Sequence, residues 1–185
     1  MGFNPLDFGM IGATDNHNSS PGDTEEWDYR GSTGAFTGTA KSRLRTGNRT
    51  TLINNPGGLA AVWSKENTRD SLFDSMQNKE VYATSGSRIE LRFFGSFNFQ
   101  DNLAELEESI KTAYANGVPM GGALEGETNQ SPTFYVSAFR DLLDAPLDKI
   151  QIIKGWTENG EVKEEVRDIV CSEGRTIDID TNRCP

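Results

Sequence analysis

Histidine is the scarcest reactive residue of this chain, 1 in 185, with 2 cysteines beside it. No Ser-His-Asp triad can form without His17, and a zinc site built from several histidines of this chain is excluded. Cys171 and Cys184 stand too far apart for a CxxC motif. No apolar run reaches the ~18 residues that a membrane-crossing helix needs. The opening MGFNPLDFGMIGATD lacks both the basic and the apolar region of a signal peptide. Positive charge is short as well: 18 Lys and Arg against 28 Asp and Glu leave a net charge of −10, which disfavours binding to phosphate backbones. Neither nucleic acid nor a membrane is expected as a partner. Apolar residues make up 35%, so the core is small and the long polar stretches lie outside it. The length fits one domain, or one with part of a second.

What is present begins with a short apolar run, Phe8-Gly-Met-Ile-Gly-Ala-Thr14. It predicts a buried strand of the parallel type, where both faces are covered and alternation is lost. Asp15-Asn16-His17-Asn18 would stand at its C-terminal end. Residues 19–55 read as a long loop of Gly, Thr, Ser, Asn and Asp with few anchors (Trp27, Tyr29, Phe36, Leu44), with no element expected in it. Gly57 to Trp63 predicts a second buried strand. A helix follows, with Thr68 as N-cap, Asp70 in its first turn and Leu72, Phe73 and Met76 on one face, ending near Asn78-Lys79. Val81–Thr84 predicts a strand, and Ser85-Gly86-Ser87 a turn.

After residue 87 the pattern changes. Arg88 to Phe94 alternates polar and apolar, as a half-buried antiparallel strand does. Leu103 to Asn116 predicts a helix with Leu103, Leu106, Ile110 and Ala113 on one stripe and Gly117 as its C-cap. Pro132 to Phe139 predicts a strand. Lys149–Trp156 and Val162–Val170 flank Asn159-Gly160, the strongest short-range hairpin signal, and Thr176–Ile179 reads as a strand-like fragment. The fold expected is α/β plus β. Residues 1–86 would form the tail end of an α/β barrel carrying the loop 19–55, and 87–185 an antiparallel sandwich-like module with a helical insertion. A chain that opens in mid-sheet and closes just after a hairpin is expected to be cut at both ends.

The sharpest chemical constellation is Thr14-Asp15-Asn16-His17. A carboxylate and an imidazole two positions apart, at the mouth of a barrel strand, can aim at one cavity and ligate a metal. The spacing equally fits a surface histidine beside a turn-forming aspartate. Two ligands fall short of the three that catalytic zinc takes from protein. The other clusters read blandly: Glu105, Glu107 and Glu108 as a solvated helix face, Gly57-Gly58 and Gly121-Gly122 as tight turns, Trp63, Trp156 and Phe93/Phe94 as core anchors. Arg43, Arg45 and Arg49 form a basic cluster on a solvated loop, and Asn48-Arg-Thr50 is a glycosylation sequon.

The blocks Asn4-Pro5 to Asn18, Asn55 to Trp63, Glu66-Asn-Thr-Arg69, Val81 to Gly86 with Arg88, Arg92-Phe-Phe-Gly95, Val118-Pro-Met-Gly-Gly122, Ile150 to Trp156 and Arg167-Asp168 together resemble the bacterial domain-of-unknown-function family 3604. That family is similar to the polymerase-and-histidinol-phosphatase and amidohydrolase-like metal-dependent hydrolases, which bind divalent ions in a distorted barrel. Their early His-x-His motif has no match here, while Asp15 and His17 match their late Asp-x-His pair. The resemblance implies the C-terminal fragment of a phosphoesterase or amidohydrolase-like enzyme with zinc or manganese as cofactor, inactive alone because the early ligands are missing. It further implies Asp15 and His17 as metal ligands and a periplasmic or extracytoplasmic setting. Arg88, next to Ser85-Gly86-Ser87, would reach that site and grip a small anionic substrate through its guanidinium fork, or equally would form a surface salt bridge. The alternative is a non-catalytic sandwich-like binding module. Cys171 and Cys184 would pair with each other, or one of them with a cysteine further downstream. Exposed barrel surfaces would favour a homodimer.

Overall fold

A computed structural model describes residues 7–17, 19, 38–43, 57–127 and 129–185. The sequon and most of the loop 19–55, including Trp27, Tyr29, Phe36, Leu44, Arg45 and Arg49, lie outside the described residues. The chain falls into two compact units, Met1–Phe139 and Arg140–Pro185. The architecture is mostly strands in small antiparallel sheets, with few helices. Every strand pairing among the described residues is antiparallel, and they form no closed barrel.

In the first unit, β1 (Leu59–Val62) and β2 (Val81–Thr84) form a two-stranded sheet, with Leu59 opposite Thr84 and Val62 opposite Val81. One helical turn, α1 (Ala40–Arg43), stands within the stretch where no element is expected; Thr39 accepts from the Ser42 amide at its start. Between β1 and β2 lies α2 (Arg69–Gln77). Thr68 caps it by accepting from the Ser71 amide at 3.3 Å, and Asp70 lies in its first turn, both as the sequence predicts. Its apolar stripe is only partly covered: Phe73 is 56% and Met76 50% exposed.

The Phe8–Thr14 run is not a buried strand. It has no strand pairing, and Phe8, Met10 and Ile11 are exposed. Its small residues set its path instead. A Cβ on Gly12 would stand 2.8 Å from the Leu59 carbonyl oxygen and 3.0 Å from that of Thr84, so the segment crosses both strands with only hydrogen facing them. Gly58 is equally constrained, with φ at +102° and space for a Cβ only 1.9 Å from the Ala13 oxygen. A run with glycine at two of its seven positions approaches a sheet closely but has little side chain to bury, which is why its large residues face out.

β3 (Glu90–Ser96) sits between β4 (Val118–Pro119) and β5 (Thr133–Phe139), with Phe94 opposite Tyr135 and Gly95 opposite Phe134. The expected helix over 103–116 breaks in two: a 3-10 turn at Leu103–Glu105, then α3 (Ser109–Asn116). Leu106 turns extended, with ψ at 137°. Glu105 and Glu108 would be like-charged neighbours on a continuous helix, which is unfavourable. The stripe survives the break. Phe94, Leu103 and Ala113 are the buried core, with Leu106, Ile110, Phe99 and Tyr135 packed against it. Gly117 does end α3, but in extended backbone (φ −146°) rather than left-handed.

Side chains tie β1 and β2 to β3. The Trp63 indole N–H donates to the Leu91 carbonyl at 2.8 Å, and the Tyr82 hydroxyl donates to that of Ile89 at 2.8 Å. The Arg92 guanidinium lies 3.5 Å over the Trp63 ring and donates to the Tyr114 hydroxyl at 2.9 Å, while Tyr114 itself donates to Glu80. Burial and the Glu80 carboxylate push the Tyr114 phenol above its ordinary pKa. Arg92→Ala removes the stacking and the stem that covers Trp63. It is expected to cost about 1–2 kcal/mol and to shift Trp63 fluorescence to the red; an unshifted spectrum would show that the stack is not formed.

The second unit is the expected hairpin. β6 (Lys149–Glu158) pairs with β7 (Glu161–Cys171) around Asn159 at φ 53° and Gly160 at φ 83°, both left-handed as a two-residue type I′ turn demands. Cys171 and Cys184 are disulfide-bonded, with Cα atoms 5.8 Å apart. Thr176–Ile179 is not a strand; Asp178 and Arg183 form an isolated bridge, and Ile179 is 90% exposed.

Candidate functional site

The segment that crosses β1 and β2 leaves the sheet at the end where Leu59 and Thr84 pair, and it continues directly into Asp15-Asn16-His17. Asp15 adopts φ 54°, a left-handed conformation that short polar residues tolerate. The turn puts the two flanking side chains on the solvent side. His17 Nε2 stands 3.7 Å from Asp15 Oδ1, with the imidazole 70% and the carboxylate 98% exposed. That separation is less than twice a metal–ligand bond of ~2.1 Å, so one ion can touch both atoms. Among the described residues no group of three or more His, Cys, Asp or Glu is arranged to hold a metal.

Asn16, between them, is different. Its backbone N–H donates to Thr14 Oγ1 at 3.2 Å, but both polar atoms of its side chain are buried with no hydrogen-bond partner among the described residues. A buried carboxamide left unsatisfied is costly, and native proteins keep few of them. In the sequence Asn16 stands within the Thr14–His17 constellation, but neither its type nor its spacing gives it a role of its own. Arg88 is exposed in the connection between β2 and β3, four residues after Thr84.

The second unit centres on a carboxylate. The Asp168 side chain is wholly buried. It accepts from the Cys184 amide at 2.7 Å, from Lys149 Nζ at 3.2 Å, from the Gln151 side chain and from Arg183 Nη1 at 3.5 Å. The Cys184 amide first, then Gln151 and Lys149, hold its carboxyl well below the usual carboxylate range against the opposing effect of burial. Four donors satisfy the group and leave none of its oxygens free for a substrate, so it organises structure. In sequence it is one acid among 28, and only the tail folding back on β7 reveals its burial.

An open cleft of ≈ 450 Å³ lies in the first unit between the end of β3 and the end of α3, with Ser96, Asn98, Asn116 and Leu124 in its lining. Ser96 Oγ donates to the Asn116 carbonyl at 2.6 Å. Its lining holds no ionisable side chain.

A family model described as "Protein of unknown function (DUF3604)" matches residues 1–185. No curated protein and no solved structure matches the chain.

Proposed function

The chain belongs to that family along its whole length, and from this premise we propose that it is the C-terminal part of a divalent-metal-dependent hydrolase to which it contributes Asp15 and His17 as ligands. The observation that carries the reading is the solvent-facing carboxylate–imidazole pair, 3.7 Å apart on a left-handed turn. The buried, unpartnered carboxamide of Asn16 between them supports it. A bound divalent ion would supply a water of lowered pKa and draw charge from a phosphoryl or carbonyl oxygen. His17 would bind through a deprotonated ring nitrogen, Asp15 through its carboxylate, and Arg88 would hold the anionic part of the substrate. The remaining ligands would come from outside this chain, which has no second histidine.

Exposure of Phe8 (56%), Met10 (70%) and Ile11 (63%) favours self-association through the same face. The disulfide favours an oxidising, extracytoplasmic setting. The second reading, a non-catalytic antiparallel binding module, is favoured by one observation: every strand pairing among the described residues is antiparallel.

Calorimetric titration of the chain with zinc and with manganese separates the two. Weak, saturable binding that is lost in both Asp15→Ala and His17→Ala is the expected result. Saturable binding that is equal in wild type and the double variant would sink the metal reading in favour of the module.

A further inference from the structure

We propose that residues 172–185 are a latch, held on β7 by the Cys171–Cys184 disulfide and released when a dithiol reductant opens that bond, and that release uncovers the Asp168 side chain and the edge of β7 facing away from β6. The tail lies against this edge by backbone pairing: the Asp168 amide donates to the Asn182 carbonyl at 3.0 Å. The Cys184 amide and Arg183 reach back to the Asp168 carboxylate. Arg175 ties the tail to itself and to Asp148 at the foot of β6, donating to the carbonyls of Ser172, Asp148 and Pro185.

Two features make this attachment conditional. First, it is polar and covalent and has no apolar seat: Ile179 is 90% and Ile177 36% exposed, and no hydrophobic residue of the second unit is buried. Individual hydrogen bonds contribute little net stability, so confining the tail depends on the covalent link. Second, releasing the tail does not strand the carboxylate. Lys149 and Gln151, both on β6, remain as donors, and water replaces the two that leave. The hairpin also keeps its full ladder around Asn159-Gly160 without the tail. Both cysteines are half-buried, within reach of a small reductant. The exchange balances: the dithiol gives up two electrons and two protons and closes into its own disulfide, while the Cys171–Cys184 bond becomes two thiols.

Native-state hydrogen exchange of the chain, with and without dithiothreitol, tests this. Reduction is expected to lower the protection of the Asp168 and Cys184 amides by about a hundredfold, as opening so short a disulfide loop implies. The amides of the ladder between Ile152 and Val166 should keep theirs. The double variant Cys171→Ser/Cys184→Ser should reproduce the reduced pattern without reductant. Unchanged protection at Asp168 and Cys184 would overturn the proposal by showing that the polar contacts suffice. Loss of protection along the whole ladder at once would overturn it too, by making the disulfide a staple of the entire unit.

Discussion

Phe94→Ala is expected to remove about 3–5 kcal/mol from the first unit, a large fraction of the ~5–15 kcal/mol that a domain holds in total. Phe94 is 1% exposed and is the largest fully buried side chain among the described residues. Its ring meets Tyr114 edge-on with centroids 4.8 Å apart and lies 6.2 Å from that of Tyr135. Among the described residues only Leu103 and Ala113 join it as buried apolar residues, so the cavity left by truncation has few neighbours able to collapse into it. The loss should also reach β1 and β2, because Trp63 reports on β3 through the Leu91 carbonyl. Denaturant unfolding followed by tryptophan fluorescence measures it. Phe139→Ala is the control: at 66% exposure its truncation should stay within about 0.5 kcal/mol of wild type. Equal losses from the two would mean that Phe94 is not the centre of the core.

How much of this was legible depends on what each residue's neighbours in sequence could report. The Thr68 cap, α2, β2 and the Asn159-Gly160 hairpin follow from local chemistry, namely a side chain that bonds its own backbone or a turn that demands left-handed residues. The Leu103–Ala113 stripe was correct as a set of core contacts and wrong as one helix, because burial of Leu103 and Ala113 is compatible with a break at Leu106. The Phe8–Thr14 run misled for a related reason. Apolar composition without periodicity does not say whether side chains are covered, and Gly9 and Gly12 let this segment ride over a sheet while Met10 and Ile11 face solvent. Asp15 and His17 were legible by type and spacing, and the turn at Asp15 does bring them together. Asn16 and Asp168 were not, since what sets each apart is burial, which arises from chain folded back from elsewhere or packed from below.

Asp168→Ala should lower the stability of the second unit at neutral pH and remove most of its sensitivity to acid. Four donors converge on this carboxylate: the Cys184 amide, Gln151, Lys149 and Arg183. Truncation leaves the Cys184 amide and the Gln151 side chain without their acceptor, and it sets Lys149 and Arg183 side by side with no counter-charge. The pH dependence follows from the direction of the shift. The folded carboxyl is held below the ordinary aspartate value of about 3.9 chiefly by the Cys184 amide, so the folded state binds its proton less readily than the unfolded chain does. The stabilisation is therefore complete above about pH 4 and is lost as pH falls from there toward the folded value. Asp178, lowered by the Thr181 amide and hydroxyl, adds a smaller effect of the same sign, which survives in the variant. Thermal melts of the oxidised chain at pH 7 and pH 3, followed through Trp156 on β6, should show wild type losing much of its stability on acidification. Asp168→Ala should start lower and fall less. If both fall by the same amount, the acid sensitivity belongs to other carboxylates; if Asp168→Ala melts like wild type at pH 7, the tail does not depend on the buried charge at all. The expected pattern ties the carboxylate and the disulfide to one job, because Cys184 supplies a sulfur to Cys171 and an amide to Asp168, and losing either anchor loosens the other.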